Sequence, residues 1–333
     1  MKRIRIIALI LSLLMLASVT IGCTNKENLD KSNKESNVEN IDQEENIVQE
    51  EDEVEESSFP VEVKDKFGNT VIIEEEPMKI VSLAPSNTET LFALGLGHRV
   101  VGVTPFCDYP EEALAIEKVG DYSGNNLERI IELEPDLVLV YGAGDEEENR
   151  ILREAGIHVL GFLSETMEDI IQDIETIGKA TGRNEEARDI INSIREKRDY
   201  VVEKVKEAGE VSVFYEIWHD PLMGAGKGSF MDELITLAGG NNIANDTDGA
   251  YPQYDLEQLI ERDPQVYLAS KDTDDKTIES IKTRPGYDAI SAIKNHRIYL
   301  FEGNEANLVS RPGPRIGEAL EVVAKAIHPE LFE

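Results

Sequence analysis

The sequence predicts an α/β fold: two α/β lobes with mostly parallel sheets, joined by a single long helix, with a ligand cleft between the lobes. Three observations carry this expectation. One long amphipathic stretch, 184–208, contains no Gly or Pro. Short apolar runs alternate with helical patterns on both sides of it. The two sides also repeat one another.

The long stretch reads NEEARDIINSIREKRDYVVEKVKEA. Ala187, Ile190, Ile191, Ile194, Val201, Val202 and Val205 recur at helical spacing, with charged residues between them. Gly182 before it and Gly209 after it are helix punctuation. A helix of about 25 residues spans roughly 37 Å, near the width of a domain. A strut between lobes 59–183 and 209–333 fits the flanks better than a surface helix on one domain.

The repeat is direct. NLERIIELEPDLVLV, from Asn126, and DLEQLIERDPQVYLA, from Asp255, share Leu127/Leu256, Glu128/Glu257, Ile131/Ile260, Glu132/Glu261, Pro135/Pro264 and Leu139/Leu268. Each reads as a short helix, a Pro that stops it, and a strand apolar enough to be buried on both faces. A weaker echo has Ser86 with Glu89, and Ser229 with Asp232, opening helices that end in Gly-containing turns. Each Ser is expected to cap its helix, answered by the acid three residues on.

The chain opens as an export signal over 1–22. Lys2, Arg3 and Arg5 precede the apolar run Ile6 to Ala17, which is too short for a membrane span. Gly22-Cys23 then resembles the bacterial lipoprotein signal, with Thr20 where Leu is usual, so Cys23 is the expected lipidation site. Residues 23–58 follow as an acidic disordered tether without aromatics up to Ser58. The net charge of -34 argues against nucleic acid and against a basic grip on anionic lipid. Only Cys23 and Cys107 occur, so a lipidated Cys23 leaves no internal disulfide.

In chain order, Val61, Val63, Val71 and Ile73 alternate around Gly68-Asn69 as a β-hairpin. The first lobe then runs strand 79–83, a helix from Asn87, strand 100–103, the repeat unit to Tyr141, a helix from Glu147, strand 158–160 and a helix from Met167. The second runs strand 211–217, a helix from Phe230, the repeat strand 266–269, strand 297–301 and a final helix 315–327. Strands separated by helices imply parallel sheets covered on both faces.

Ligands of such sheets bind beyond the carboxyl ends of the strands. Aromatics are 6% of the chain, yet Phe106, Tyr109, Tyr122, Tyr141, Trp218 and Tyr251 all fall in the loops expected there. One loop aromatic is often a plug over the core. Six at the edge of two facing lobes fit the lining of a cleft for a large, partly flat ligand. An enzyme is disfavoured. Ser86 lacks the Gly-x-Ser-x-Gly of a nucleophile elbow, Gly224 to Ser229 lacks Walker spacing, and no His set has metal-ligand spacing.

The stretches KIVSLAPSNTETLFALGLGHRVVGVTPFCDYP, YEIWHDPLMGAGKGSFMDELITLAGGNNI, YPQYDLEQL and SRPGPRIGEALE resemble the cobalamin-binding proteins of bacterial ABC importers, over Phe59 to Glu333. Siderophore and haem binders of the same fold share the opening motif. CDYP, IWHDP, YPQ and RPGPR are closer to the cobalamin branch. The resemblance implies an exported binding protein, a monomer, anchored by lipid to the outer face of the cytoplasmic membrane. It would hand cobalamin or another corrinoid to a permease with a cytoplasmic ATPase.

By motif position, Phe106, Tyr122, Tyr141 and Tyr251 would flank the corrin, the last three where family members often carry Trp. Trp218 and His219 would face the ligand from the second lobe, and Asn307 would bond a ligand amide. His219 reads as a hydrogen-bonding surface group rather than a cobalt ligand. Glu128 and Glu257 occupy equivalent places in the repeat and, by resemblance, would meet Arg residues of the permease. The alternative is that each merely favours its own helix N-terminus.

Overall fold

The computed structural model describes residues 58–333 apart from residue 122. The export signal, Cys23, the tether up to residue 57 and Tyr122 lie outside the described residues. The first element is the expected hairpin, β1 (Val61–Lys64) and β2 (Thr70–Ile73), paired antiparallel. Asp65 closes its turn. The carboxylate accepts from the Phe67 and Asn69 amides at 3.0 and 2.9 Å and from Gly161 N at 3.1 Å, which ties the hairpin to the first lobe.

The first lobe continues as β3 (Ile80–Ser82), α1 (Pro85–Ala93), β4 (Val100–Val103), the small hairpin β5 (Gly120–Asp121) and β6 (Gly124–Asn125), α2 (Leu127–Glu132), β7 (Leu137–Tyr141), α3 (Glu146–Glu154), β8 (His158–Phe162) and α4 (Met167–Thr181). After α5 (Asn184–Val205) come β9 (Val211–His219), β10 (Leu222–Gly224), α6 (Phe230–Leu237), β11 (Gly240–Asn242), α7 (Leu256–Arg262), β12 (Val266–Ser270), α8 (Ile278–Lys282), α9 (Ser291–Lys294), β13 (Ile298–Phe301), α10 (Asn304–Ser310) and α11 (Ile316–Ile327).

The two sheets share one topology. The first is ordered β4-β3-β7-β8 and the second β11-β9-β12-β13, every one of these pairs parallel. In each, the second strand lies outside the first while the third and fourth extend the other side. The duplication reaches single backbone angles. Glu134 (φ 49) and Asp263 (φ 43) both take the left-handed conformation immediately before Pro135 and Pro264. That region is sparsely used by residues with a Cβ, so its recurrence at matching places marks a common turn.

The core has three parts. One cluster lies on the outer face of the first sheet and includes Val81, Ile130, Val138 and Leu152. A second backs the second sheet around Phe214, Tyr254, Tyr267 and Leu300. The largest runs continuously from Ile80, Leu137 and Leu139 through α4, α5 and α11 to Val213, Val266 and Leu268. Ala187, Ile191, Ile194, Val201 and Val205 are the buried stripe of α5. The helix packs tightly enough that a Cβ at Gly178 of α4 would lie 2.6 Å from that of Ala187. At 22 residues it spans about 33 Å.

Three expectations are corrected. The long helix stops at Val205 rather than Ala208, and Lys206 to Ala208 form a turn. Ser86 does not cap α1, because Pro85 takes the first helical position and Ala84 becomes the cap residue. Ser229 does cap α6, its side chain accepting from Asp232 N at 3.1 Å. The strand from Val211 runs on to His219, because β10 folds back and pairs with it, Met223 opposite Trp218. Trp218 and His219 therefore sit on a strand end rather than in a loop.

Candidate functional site

Parallel strands deliver their following residues to one edge, and most of the predicted aromatics are found there. Tyr141 ends β7, Phe106 and Tyr109 follow β4, Trp218 lies near the end of β9, and Tyr251 precedes α7. All five are exposed: Phe106 50%, Tyr109 40%, Tyr141 60%, Trp218 42% and Tyr251 55%. Exposed at these levels, none of the five is a plug buried in the core. Tyr141 and Tyr251 come from different lobes yet lie within electrostatic reach. Burial, then the Tyr141 and Glu165 side chains, push the Tyr251 phenol above its ordinary range.

At the second lobe's edge the Trp218 and His219 rings are 6.2 Å apart, and Trp218 Nε1 donates to the Asp220 carbonyl at 2.9 Å. A buried charge network steadies this strand end. Glu216 is 1% exposed and accepts from Lys276 at 3.0 Å, from Arg284 and from the Tyr267 hydroxyl. Burial raises its carboxyl, but the Arg284 and Lys276 charges outweigh that and leave it below the usual range. Those two cations come from the segment after β12, whose exposed Asp275 lies near His219. His219 is solvent-exposed, and among the described residues no His, Cys, Asp and Glu group has metal-binding geometry.

Sequence reasoning missed a set of charged groups that joins the two lobes. Glu89 of α1 is 3% exposed and meets both arginines of the Arg311-Pro-Gly-Pro-Arg315 motif. Arg315 donates to its two oxygens at 2.8 and 2.9 Å, and Arg311 at 3.2 Å. Arg311 also binds Asp108 at 2.6 Å and reaches the Phe106 carbonyl at 3.4 Å. The Arg315 guanidinium stacks 3.6 Å from the centre of the Tyr109 ring. Two arginines close together in so acidic a chain were the available signal. Their partner more than two hundred residues earlier was not.

Asn307 is half-buried on α10, next to this network in the chain. Asp173 of α4 lines a small cavity with Ser86, Asn87 and Pro312, and accepts from the Ser164 hydroxyl at 2.7 Å. Burial pushes its carboxyl up to about 6 against that hydrogen bond. Glu128 and Glu257 are exposed second residues of α2 and α7. Their preceding cap side chains, Asn126 and Asp255, already bond the helix amides. Neither Glu enters an ion pair among the described residues, so both carboxylates face solvent.

Two parallel-sheet lobes joined by a spanning helix are the architecture of a solute-binding protein. The chain belongs to the periplasmic binding protein family, whose model matches residues 80–304. It is 36% identical over 283 residues to an uncharacterized ABC transporter substrate-binding lipoprotein, YvrC, of Bacillus subtilis, covering 83% of this chain and 88% of that one. It is 30% identical over 258 residues to the vitamin B12-binding protein of Vibrio parahaemolyticus, covering 76% and 91%. Among solved structures, a possible iron-binding periplasmic solute-binding protein from Staphylococcus epidermidis matches at 30% identity and a TM-score of 0.66, covering 76% and 100%. The chain is thus the binding component of an ABC importer and acts outside the cytoplasm. Among the described residues no helix is long and apolar enough to cross a membrane.

Proposed function

We propose that this protein is a lipoprotein that captures cobalamin or a related corrinoid and delivers it to an ABC permease. The observation that carries the reading is the set of exposed aromatics at the edge of both lobes, beside loops whose cations are largely paired with carboxylates. A corrinoid offers an apolar macrocycle to such rings and neutral carboxamides to the loops around them. Phe106, Tyr122, Tyr141 and Tyr251 flank the ring in this reading, Trp218 and His219 meet it from the second lobe, and Asn307 bonds an amide. The vitamin B12-binding relative supports the choice of ligand.

Glu128 and Glu257 are the docking groups in the same account. They stand at matching places in the repeat, unpaired and exposed, as two like permease subunits would require. Lipid on Cys23 holds the protein, as a monomer on its acidic tether, at the outer face of the membrane. A ferric siderophore or haem is the competing cargo, favoured by the possible iron-binding structural neighbour. Difference spectra of the purified protein titrated with cyanocobalamin, cobinamide, haemin and a ferric hydroxamate separate them. Saturation by a corrinoid supports the reading, and saturation by haemin or the hydroxamate alone overturns it.

A further inference from the structure

Charge beside Phe106 is balanced by one buried and one exposed carboxylate. Arg311 and Arg315 bring two positive charges to the loop that carries Phe106, and Glu89 supplies one negative charge shared between them. The second negative charge is Asp108, bonded to Arg311 at 2.6 Å. The two acids differ in burial. The Glu89 side chain is 2% exposed and locked by both guanidiniums, whereas that of Asp108 is 46% exposed on the strand-edge loop. A groove of about 720 Å³, lined by Glu89, Tyr109, Pro110 and Arg315 among others, does not include Arg311 or Asp108.

Of the other cations near this edge, Lys118 is half-buried and donates to the Cys107 and Ala113 carbonyls at 3.3 and 3.0 Å. Lys271 pairs with Glu302 at 3.2 Å and Lys276 with the buried Glu216. Lys227 is exposed but follows β10, the strand that leads back from the edge. A carboxylate-bearing ligand therefore meets no free guanidinium beside Phe106 unless it displaces Asp108. We infer that Asp108 is a specificity-determining residue that masks Arg311 and selects against anionic cargo, such as haem propionates or carboxylate siderophores. This deepens the corrinoid reading and rests on it for the identity of the favoured ligand. Neutralising Asp108 leaves one uncompensated positive charge at the edge, partly desolvated and able to form a charge-assisted pair with a carboxylate.

The test compares wild type with Asp108→Asn and Asp108→Ser, using haemin and haemin dimethyl ester as probes in absorption titrations. The ester has the same ring without the two charged propionates. Both variants are expected to gain about fivefold to tenfold in haemin affinity, with no matching gain for the ester. The gain should shrink as ionic strength rises. An unchanged haemin affinity in variants that melt like wild type, or an equal gain for the ester, overturns the inference. A melt lowered by more than a few degrees in both variants also overturns it, because Asp108 would then be structural. Cyanocobalamin titrated into wild type tests the cargo reading separately, since the propionate-dependent gain does not require that a corrinoid bind.

Discussion

Glu89 and Arg315 stand 226 residues apart in the chain and are joined by two hydrogen bonds, Nε to Oε2 at 2.8 Å and Nη2 to Oε1 at 2.9 Å. The pair joins the two lobes, and Arg311 closes on the same carboxylate. A carboxylate that is nearly inaccessible, facing two guanidiniums, cannot be removed cheaply. Glu89→Ala leaves two partly buried cations without their shared partner, a loss of about 3–5 kcal/mol. Urea unfolding read by circular dichroism should show the midpoint fall by that equivalent. A midpoint within experimental scatter of wild type would mean that water replaces the carboxylate and that the lobes are held by α5 and its neighbours alone.

How much of this was legible in the sequence depended on range. The helix–strand repeat was readable because Pro135 and Pro264 stop the helices in the same register, and all-apolar strands declare burial on both faces. The long helix was readable from its uninterrupted stripe, though not its last turn, where Lys206 and Glu207 suit helix or turn equally. The shared strand order was implied by the repeat, but which strand lies outermost was not. At α1 the Ser86 and Glu89 spacing imitates a capping box, and only the preceding Pro85 shifts the helix start. Glu89 instead faces a partner that local patterning cannot reveal. Aromatic composition could nominate residues for the strand edge, whereas the Glu89 pairing with Arg311 and Arg315 had no local signal.

The docking proposal separates from helix stabilisation by what is measured. Glu128→Ala with Glu257→Ala removes two exposed first-turn acids, each worth about 0.3–1 kcal/mol to its helix. Melting should move by a few degrees at most and corrinoid affinity should stay within about twofold. Uptake of labelled cobalamin by cells carrying the cognate permease should be abolished. Full uptake by the double variant would refute the docking role.

Asp173 makes stability depend on pH in a stated direction. Its ordinary value is 3.8 and burial lifts it to about 6, so between those values the folded state holds a proton that the unfolded state has released. This contribution to stability therefore declines as pH rises through that window and stays lost above it, on the order of 3 kcal/mol at most. Asp173→Asn keeps an oxygen for Ser164 and carries no charge. The variant should match wild type near pH 4 and melt higher at pH 7.5. A gain that is the same at both pH values would contradict the assignment.

The anchor proposal concerns Cys23. Cys23→Ser should move the exported protein from the membrane fraction to the soluble fraction, since no helix among the described residues is long and apolar enough to cross a membrane. A cleaved variant that still fractionates with membrane would show that something else holds it there.

The most direct test of the corrinoid account uses the chain's one tryptophan, Trp218, which sits exposed at the second lobe's edge of the cleft. Cyanocobalamin absorbs across indole emission, so binding within the cleft should quench Trp218 fluorescence. Titration of purified protein is predicted to give a saturable, one-to-one quench with cyanocobalamin and with cobinamide, weakened about tenfold or more by Tyr141→Ala with Tyr251→Ala. Saturable binding of haemin or a ferric siderophore, with no quench by either corrinoid beyond that of free tryptophan at the same concentrations, would contradict it.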